Sequence, residues 1–170
     1  MPDPVNEYLQ FRADVDTRTA ELSRLHGRHL VCRPGCTACC TNLTVLPVEF
    51  EAIRRRALAA AGGEPIRFDP NAPCGFLTSD GRCAIYEHRP IICRTHGLPI
   101  AFADEDDGHS VSFCERNFSD AQPRDLDFGP ENTLDLDELN DRLAQVNFDY
   151  LAQTAGSSSR IELSRLLLPE

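Results

Sequence analysis

The sequence predicts a mainly α-helical protein, a single small domain of packed helices with short β-hairpins and a cysteine-rich centre. Three observations support this fold class. Apolar residues recur at helical spacing in three segments, Asp-Gly dipeptides separate short apolar pieces in the middle of the chain, and eight cysteines lie between positions 32 and 114. A chain of 170 residues can bury a core of its own. We therefore expect one domain over residues 1–170, with a cysteine core at about 32–114.

The first helix is predicted from about residue 4 to residue 29. Asp3 is a typical N-cap, and Pro4 is favoured at the first helical position. The apolar positions that follow have helical spacing and should face the core: Tyr8, Phe11, Val15, Leu22 and Leu25. Pro34-Gly35 should end this region and place the first cysteines in a tight loop.

A second helix is predicted to begin near Pro47, after a short extended segment at 41–46. It directs a set of apolar side chains inward, at Phe50, Ile53, Ala57 and Ala61. The Gly62-Gly63 pair should end this helix, because glycine readily adopts the left-handed conformation that follows helix C-termini.

The middle of the chain is predicted to contain a tight hairpin. Asp80-Gly81 lies between two short apolar pieces within 76–86, and an Asp-Gly pair in this setting is a hairpin signal. Cys74 and Cys83 flank the turn. A hairpin would therefore bring these two cysteines near each other.

Two further short elements are predicted after this hairpin. Arg89-Pro90 should open a helical turn that holds Cys93. Asp106-Asp107-Gly108 predicts another hairpin turn, from which apolar residues lead into Cys114.

The last third of the chain carries no cysteine and is predicted to be a helical scaffold at about 135–168. Asp135 with Glu138 fits a capping box at its start. Apolar residues then form a regular stripe that should face the core: Leu136, Leu139, Leu143, Val146 and Tyr150.

The charge and hydropathy of the chain disfavour two classes of partner. The formal net charge is −10, and the chain has 17 arginines and no lysine. The arginines are scattered apart from Arg54-Arg55-Arg56, which lies on a predicted helix, so we expect no direct nucleic-acid binding. No apolar stretch approaches the ~20 residues of a membrane span, so we expect no membrane partner. The first residues lack the features of a secretory signal, which favours a cytoplasmic location.

The cysteine pattern predicts a metal centre. Cys32, Cys36, Cys39 and Cys40 lie close together, and a disulfide between the adjacent last two would be strained. Thiols also stay reduced in the cytosol, where thiolates bind soft or borderline metals. The candidate ligands are all eight cysteines: Cys32, Cys36, Cys39, Cys40, Cys74, Cys83, Cys93 and Cys114.

The spacing leaves the number of metal centres open. Cys36 and Cys39 form a C-x2-C pair, which lets two thiolates from one turn reach one metal. Four ligands close a zinc site, and four cysteines also hold a cubane iron–sulfur cluster, so eight could fill two sites or one site with spares. Cys39 and Cys40 would not both bind one tetrahedral ion comfortably. That favours a polynuclear centre, two centres, or one cysteine that is not a ligand.

Two motifs of this chain resemble a known family. They are Cys32-x3-Cys36-x2-Cys39-Cys40, and Cys74-Gly-Phe-Leu followed by Asp80-Gly-Arg-Cys83-Ala-Ile-Tyr86-Glu87-x-Arg89-Pro90-x-x-Cys93-Arg94. Their order resembles the YkgJ-like cysteine-cluster proteins, also called CxxCxxCC proteins. The resemblance runs from about 32 to 94 and extends to Cys114. It implies a small cytosolic domain that chelates zinc or iron, with an iron–sulfur cluster as one form of the metal. The first gap here has three residues rather than two, so the resemblance covers Cys32 less directly than the other three cysteines of its motif.

Four other side chains are candidates for roles around the metal. Arg89 and Arg94 would stabilise an anionic thiolate centre and contact the cofactor electrostatically, with ion pairs to nearby acids as the alternative. His96 has C-x2-H spacing and is a further candidate ligand. His29 is near enough in sequence to Cys32 to orient it as a ligand.

These observations favour a metal-binding protein over an enzyme, since no catalytic dyad is distinct in the sequence. The alternatives are a cluster-dependent enzyme, either an oxidoreductase or methylase-like, and a thiol redox sensor that uses Cys36, Cys39 or Cys40. Some larger family members resemble flagellin lysine methylases, but this chain lacks a Gly-rich strand-to-helix turn for a nucleotide-like cofactor. We expect the cysteine run and the 74–93 region to converge on one site, with Cys114 at its edge.

Overall fold

The computed structural model describes residues 2–33, 35–60, 72–104, 108–121 and 126–167. Over these residues it contains four α-helices and five short strands, which confirms the predicted combination of helices with short strands. The chain divides into two compact units. The first unit comprises Met1–Gln10, Pro34–Pro90 and Gln145–Glu170, and the second unit comprises Phe11–Arg33 and Ile91–Ala144.

The first helix, α1, spans Pro4–Leu25 and contributes residues to both units. The Oδ1 atom of Asp3 accepts a hydrogen bond from the Val5 N–H at 3.0 Å, so the predicted N-cap is confirmed. The expected apolar face is buried at four of its five positions: Tyr8, Phe11, Val15 and Leu22. The expectation for Leu25 was wrong, because the α-helix ends at this residue, which is 56% exposed. A short 3₁₀ turn at Gly27–His29 follows, so the α-helix stops before the predicted residue 29.

The first unit is organised around one apolar cluster. Strand β1 (Thr44–Val45) leads into α2 (Pro47–Ala60), and β1 pairs antiparallel with β5 (Ile161–Glu162). A 3₁₀ turn at Leu163–Leu167 closes the same region. The buried members of the cluster are Val45, Ile53, Ala57, Phe76, Ile85 and Leu163, with Phe50 packed against them.

The predicted inward face of α2 is confirmed at its described positions, since Ile53 and Ala57 are buried and Phe50 contacts the core cluster. Ala61 and the Gly62-Gly63 stop signal lie outside the described residues. The pairing of β1 with β5 was not anticipated from the sequence. It joins segments that are far apart in the chain, and local pattern does not report such pairing.

The second unit contains a three-stranded sheet in the order β3-β2-β4. Strand β2 (Ile100–Ala103) pairs antiparallel with β3 (His109–Ser112), which confirms the predicted hairpin, although Asp106 and Asp107 of its turn lie outside the described residues. Strand β4 (Leu134–Asp135) adds a parallel neighbour to β2 that the sequence did not reveal. The short helix α3 (Ile91–Thr95) confirms the helical turn predicted after Arg89-Pro90.

The last long helix, α4, spans Leu136–Thr154 and, like α1, contributes to both units. The Glu138 N–H donates to Asp135 Oδ1 at 3.0 Å, so the predicted N-cap is confirmed. Leu143 and Val146 of the predicted stripe are buried. Within the described part of the chain, the helices are too short or too polar to cross a membrane.

Candidate metal centre

A tight turn presents two adjacent cysteines of the first unit. Gly35 has a φ of +92°, a left-handed conformation that glycine adopts without strain. Beyond it, the Cys40 N–H donates to the Thr37 carbonyl oxygen at 2.9 Å and closes a turn that contains Cys39. Cys39 is exposed and Cys40 is half-buried. The turn therefore holds one thiol toward solvent and the next toward the interior of the unit.

The predicted hairpin brings two more cysteines together. Leu77 and Cys83 form an isolated antiparallel bridge, and the Thr78 N–H donates to the Arg82 carbonyl oxygen at 2.8 Å. Gly81 sits at the turn with a φ of +75°. Cys74 and Cys83 both pack against the apolar cluster of the first unit. The expectation that the Asp-Gly turn would bring these cysteines together is thus confirmed.

Four cysteines of the first unit share one electrostatic environment, and we call Cys39, Cys40, Cys74 and Cys83 the four-thiol group. Burial raises the pKa of Cys40, and Coulombic repulsion from the other three members raises it further, to about 11. A hydrogen bond with the Cys39 thiol acts in the same direction. Cys40 is therefore a neutral thiol at neutral pH, and its neighbours in the group are thiols as well.

Arg89 is a cation that acts on one member of this group, Cys83. Burial raises the pKa of Cys83, a hydrogen bond with the Ile85 backbone opposes the rise, and the nearby Cys74 adds to it. The charge of Arg89 lowers the same pKa. The guanidinium carbon lies 3.8 Å from the centre of the Tyr86 ring, a cation–π contact that fixes its position. This arrangement supports the electrostatic role predicted for Arg89.

Arg94 forms an ion pair with an acidic side chain, and its role at a metal centre stays a prediction. Its side chain is only 8% exposed and forms an ion pair with Asp16 in the second unit. An ion pair with a nearby acid was one of the two roles that the sequence left open for Arg94. Arg94 therefore has an evident structural role in holding α1 and α3 residues of its own unit together.

The second unit holds three cysteines, Cys32, Cys93 and Cys114. Two of them border Gly97: a Cβ placed on this glycine would lie 3.2 Å from Cys32 Sγ and 3.7 Å from Cys114 Cβ. The Cys114 N–H also donates to the Gly97 carbonyl oxygen at 3.5 Å. Cys93 is half-buried in α3. Cys36, the remaining cysteine, belongs to the first unit and is half-buried in the loop before Cys39.

The two candidate histidines have different settings. Nδ1 of His29 lies 2.8 Å from Asp120 Oδ1, its Nε2 accepts a hydrogen bond from Arg28, and its ring stacks on Phe118. Both ring nitrogens thus have partners other than the Cys32 thiol, so the orienting role expected for His29 was wrong. His96 is exposed just after α3, and its role as a ligand stays a prediction.

Asn117 contacts Cys32, although the sequence pattern did not indicate a role for this residue. Its Nδ2 atom lies 3.6 Å from Cys32 Sγ. The only sequence signal was its position three residues after Cys114, where the Asn117 N–H donates to the Cys114 carbonyl oxygen at 2.8 Å.

The donors present suit zinc or iron by their chemistry. Thiolate sulfur is a preferred ligand of both metals, and the four-thiol group supplies as many sulfurs as a closed zinc site or a cubane cluster uses. Across the described residues, no three Cys, His, Asp or Glu side chains are gathered closely enough to hold a metal ion. The hairpin and the Cys39–Cys40 turn would have to draw closer to complete a coordination sphere, as loops do when metal binding is coupled to folding.

A comparison with protein families agrees with this donor set. The family model CxxCxxCC, described as "Putative zinc- or iron-chelating domain", matches residues 31–115, half of the chain. The protein belongs to this family, which confirms the resemblance seen in the two cysteine motifs. No curated protein and no solved structure matches the chain.

Proposed function

We propose that this protein binds zinc or iron through cysteine thiolates, with the four-thiol group as the principal set of ligands. The observation that carries the proposal is the packing of Cys74 and Cys83 against one apolar cluster. Both lie close enough to Cys40 to raise its pKa, as Cys39 does. Family membership supports the same chemistry. The ligand role of the other four cysteines, and a single centre for all eight, stay predictions.

Physical chemistry explains why such a group would favour a cation. Thiols that become thiolates side by side repel one another, and burial adds to the cost of each charge. A divalent cation removes both penalties, because it replaces the protons and neutralises the sulfurs. Arg89 contributes a further positive charge near Cys83. Among the described residues, the chain therefore supplies donors, partial burial and a compensating cation at Cys83.

The redox-sensor alternative is disfavoured for Cys40. A reactive cysteine needs a lowered pKa so that the thiolate is populated. Burial and the neighbouring thiols raise the pKa of Cys40 to about 11 instead. Cys40 is thus an unreactive thiol for forming a Cys39–Cys40 disulfide. Such a disulfide would also be strained, because the two residues are adjacent.

Metal analysis of protein purified without oxygen tests the proposal directly. We expect zinc or iron to co-purify in stoichiometric amount, and the absorption spectrum to tell them apart. Thiolate-to-iron charge transfer near ~400 nm would indicate an iron–sulfur cluster, whereas zinc is d¹⁰ and colourless. Folded protein with eight free thiols that takes up neither added zinc nor added iron under reducing conditions would overturn the proposal.

A further inference from the structure

Asn117 is a buried polar side chain in the second unit, with only 2% of its surface exposed. One Nδ2 hydrogen is directed to the Gly97 carbonyl oxygen at 2.6 Å, and Nδ2 also lies 3.6 Å from Cys32 Sγ. Its Oδ1 atom accepts a hydrogen bond from the Val31 N–H at 3.0 Å and lies 3.7 Å from the same sulfur. The amide group therefore reaches both the Cys32 side chain and the backbone beside it.

This arrangement uses the full hydrogen-bonding capacity of a primary amide. An asparagine side chain has two N–H donors and an oxygen that accepts two hydrogen bonds. Gly97 and Cys32 take the donors, while Val31 and the Cys32 thiol proton take the acceptor positions. The N–H···S contact also suits a metal-bound sulfur, because a thiolate is a better acceptor than a thiol. The amide thus suits the deprotonated form that ligates a metal.

Gly97 makes this approach possible. It has a φ of +96°, and a Cβ at this position would lie 3.2 Å from Cys32 Sγ and 3.5 Å from Asn117 Nδ2. A Cβ would therefore crowd the sulfur, whereas its distance to the amide would be an ordinary van der Waals contact. The backbone at Gly97 therefore provides an anchor for Asn117 and leaves space for the Cys32 sulfur.

We propose that Asn117 is a positioning residue, which holds the Cys32 sulfur in place as a metal ligand. The inference rests on the metal-binding function proposed above. The contact with Asn117 supports Cys32 as a metal ligand. The cysteine motif alone supports this role less directly, because its first gap has three residues rather than two. Side chains that hydrogen-bond to metal ligands typically contribute about 10- to 100-fold in metal affinity.

Zinc affinity of matched asparagine variants tests the inference. Asn147 is also buried, and its Oδ1 accepts a backbone hydrogen bond from the Val48 N–H at 3.2 Å. We expect Asn117→Ala to lower zinc affinity about tenfold or more, measured by competition with a chromophoric chelator. Asn147→Ala removes a comparable backbone contact and should change affinity by no more than about threefold. Equal losses in the two variants, or none in Asn117→Ala, would overturn the inference.

A double-mutant cycle separates positioning from general structure. If Asn117 acts through Cys32, Asn117→Ala should cost no further affinity in a Cys32→Ala background. Binding of Co²⁺ gives a second signal, because its thiolate charge-transfer band grows with the number of Co–S bonds. Asn117→Ala should weaken this band, but by less than Cys32→Ala does, and additive losses in the double variant would contradict the proposal.

A measurement without metal keeps this inference distinct from the proposed function. In ¹H–¹⁵N spectra of reduced protein, Cys32→Ala should move the side-chain amide resonances of Asn117 and leave those of Asn147 in place. The test also serves if Asn117→Ala does not fold. A wild-type protein that binds neither zinc nor iron would refute the proposed function, and the amide shift would then still decide whether Asn117 holds Cys32. An unmoved Asn117 resonance would refute that contact.

Discussion

The cysteines of the two units have contrasting neighbours. In the first unit, Cys40 is surrounded by Cys39, Cys74 and Cys83, which together with burial raise its pKa to about 11. In the second unit, Cys32 lies against an amide that can donate to its sulfur. Crowded thiols repel one another when they ionise together, whereas the Cys32 sulfur has an N–H donor beside it. The comparison shows that cysteines of one sequence motif, such as Cys32 and Cys40, can have chemically different neighbours.

Removing a member of the four-thiol group should give the largest effect. Cys83→Ser removes a sulfur that is packed against the core cluster, and oxygen is a poorer ligand for zinc in such a site. We expect zinc affinity to fall at least about a hundredfold, above the usual cost of losing an outer partner. Ala84→Ser is the control, since it adds a hydroxyl at an exposed neighbouring position and keeps every thiol. Similar affinities of the two variants would remove Cys83 from the ligand set.

A pair of glycine variants should reveal the crowding around Cys32. Gly97 and Gly35 both have left-handed φ angles, but a Cβ at Gly35 meets no described atom within 4 Å. Gly35→Ala should destabilise the protein by about 1 kcal/mol through backbone strain alone. Gly97→Ala should cost about 1 kcal/mol more, because the methyl group also presses on Cys32 Sγ. Chemical denaturation of the metal-free proteins measures both, and equal losses would argue against a tight site at Cys32.

The stability of metal-free protein should fall at alkaline pH. Cys40 has a raised pKa in the folded state, so the unfolded chain gives up this proton first as pH rises. The stabilisation linked to Cys40 is therefore complete below about pH 9 and is lost between about 9 and 11. We expect a loss of about 1 kcal/mol or less, since Cys40 is only partly buried and solvent screens its charge.

Cys40→Ser provides the control for this pH dependence, because serine does not titrate in the same range. Its unfolding free energy, followed with chelator and reductant present, should decline less steeply from pH 9 to 11 than that of the wild type. Identical slopes would show that the first-unit thiols do not influence one another as the four-thiol group requires.

Two arginine variants should give the smallest effects, and they compare an arginine of the first unit with one of the second. Arg89→Gln removes the cation that lowers the pKa of Cys83, so zinc affinity should drop by a few-fold and the drop should shrink in high salt. Arg94→Gln breaks the ion pair with Asp16 and should reduce stability rather than affinity. The measurements are zinc competition at two salt concentrations and thermal unfolding. A larger affinity loss in Arg94→Gln would reverse the roles assigned to the two arginines.

Features set by neighbours in the sequence were predicted well. The caps at Asp3 and Asp135 and the hairpin near Asp80-Gly81 each depend on a few consecutive residues. The β1–β5 pairing and the parallel strand β4 depend on distant partners, and their two-residue strands are too short to show a periodic pattern. The contact between Asn117 and Cys32 joins residues 85 positions apart. A lone asparagine carries no spacing pattern, so this contact was visible only in three dimensions.

The pairing of β1 with β5 has a consequence for the order in which the protein matures. Contacts at this strand pair, such as the hydrogen bond from Arg160 to Thr44, span 116 positions of the chain. All eight cysteines precede β5, so a growing polypeptide presents every thiol to the cell before the strand beside its first cysteine loop can pair. The thiols of the first unit therefore stay accessible during synthesis until β5 has been made and can pair with β1.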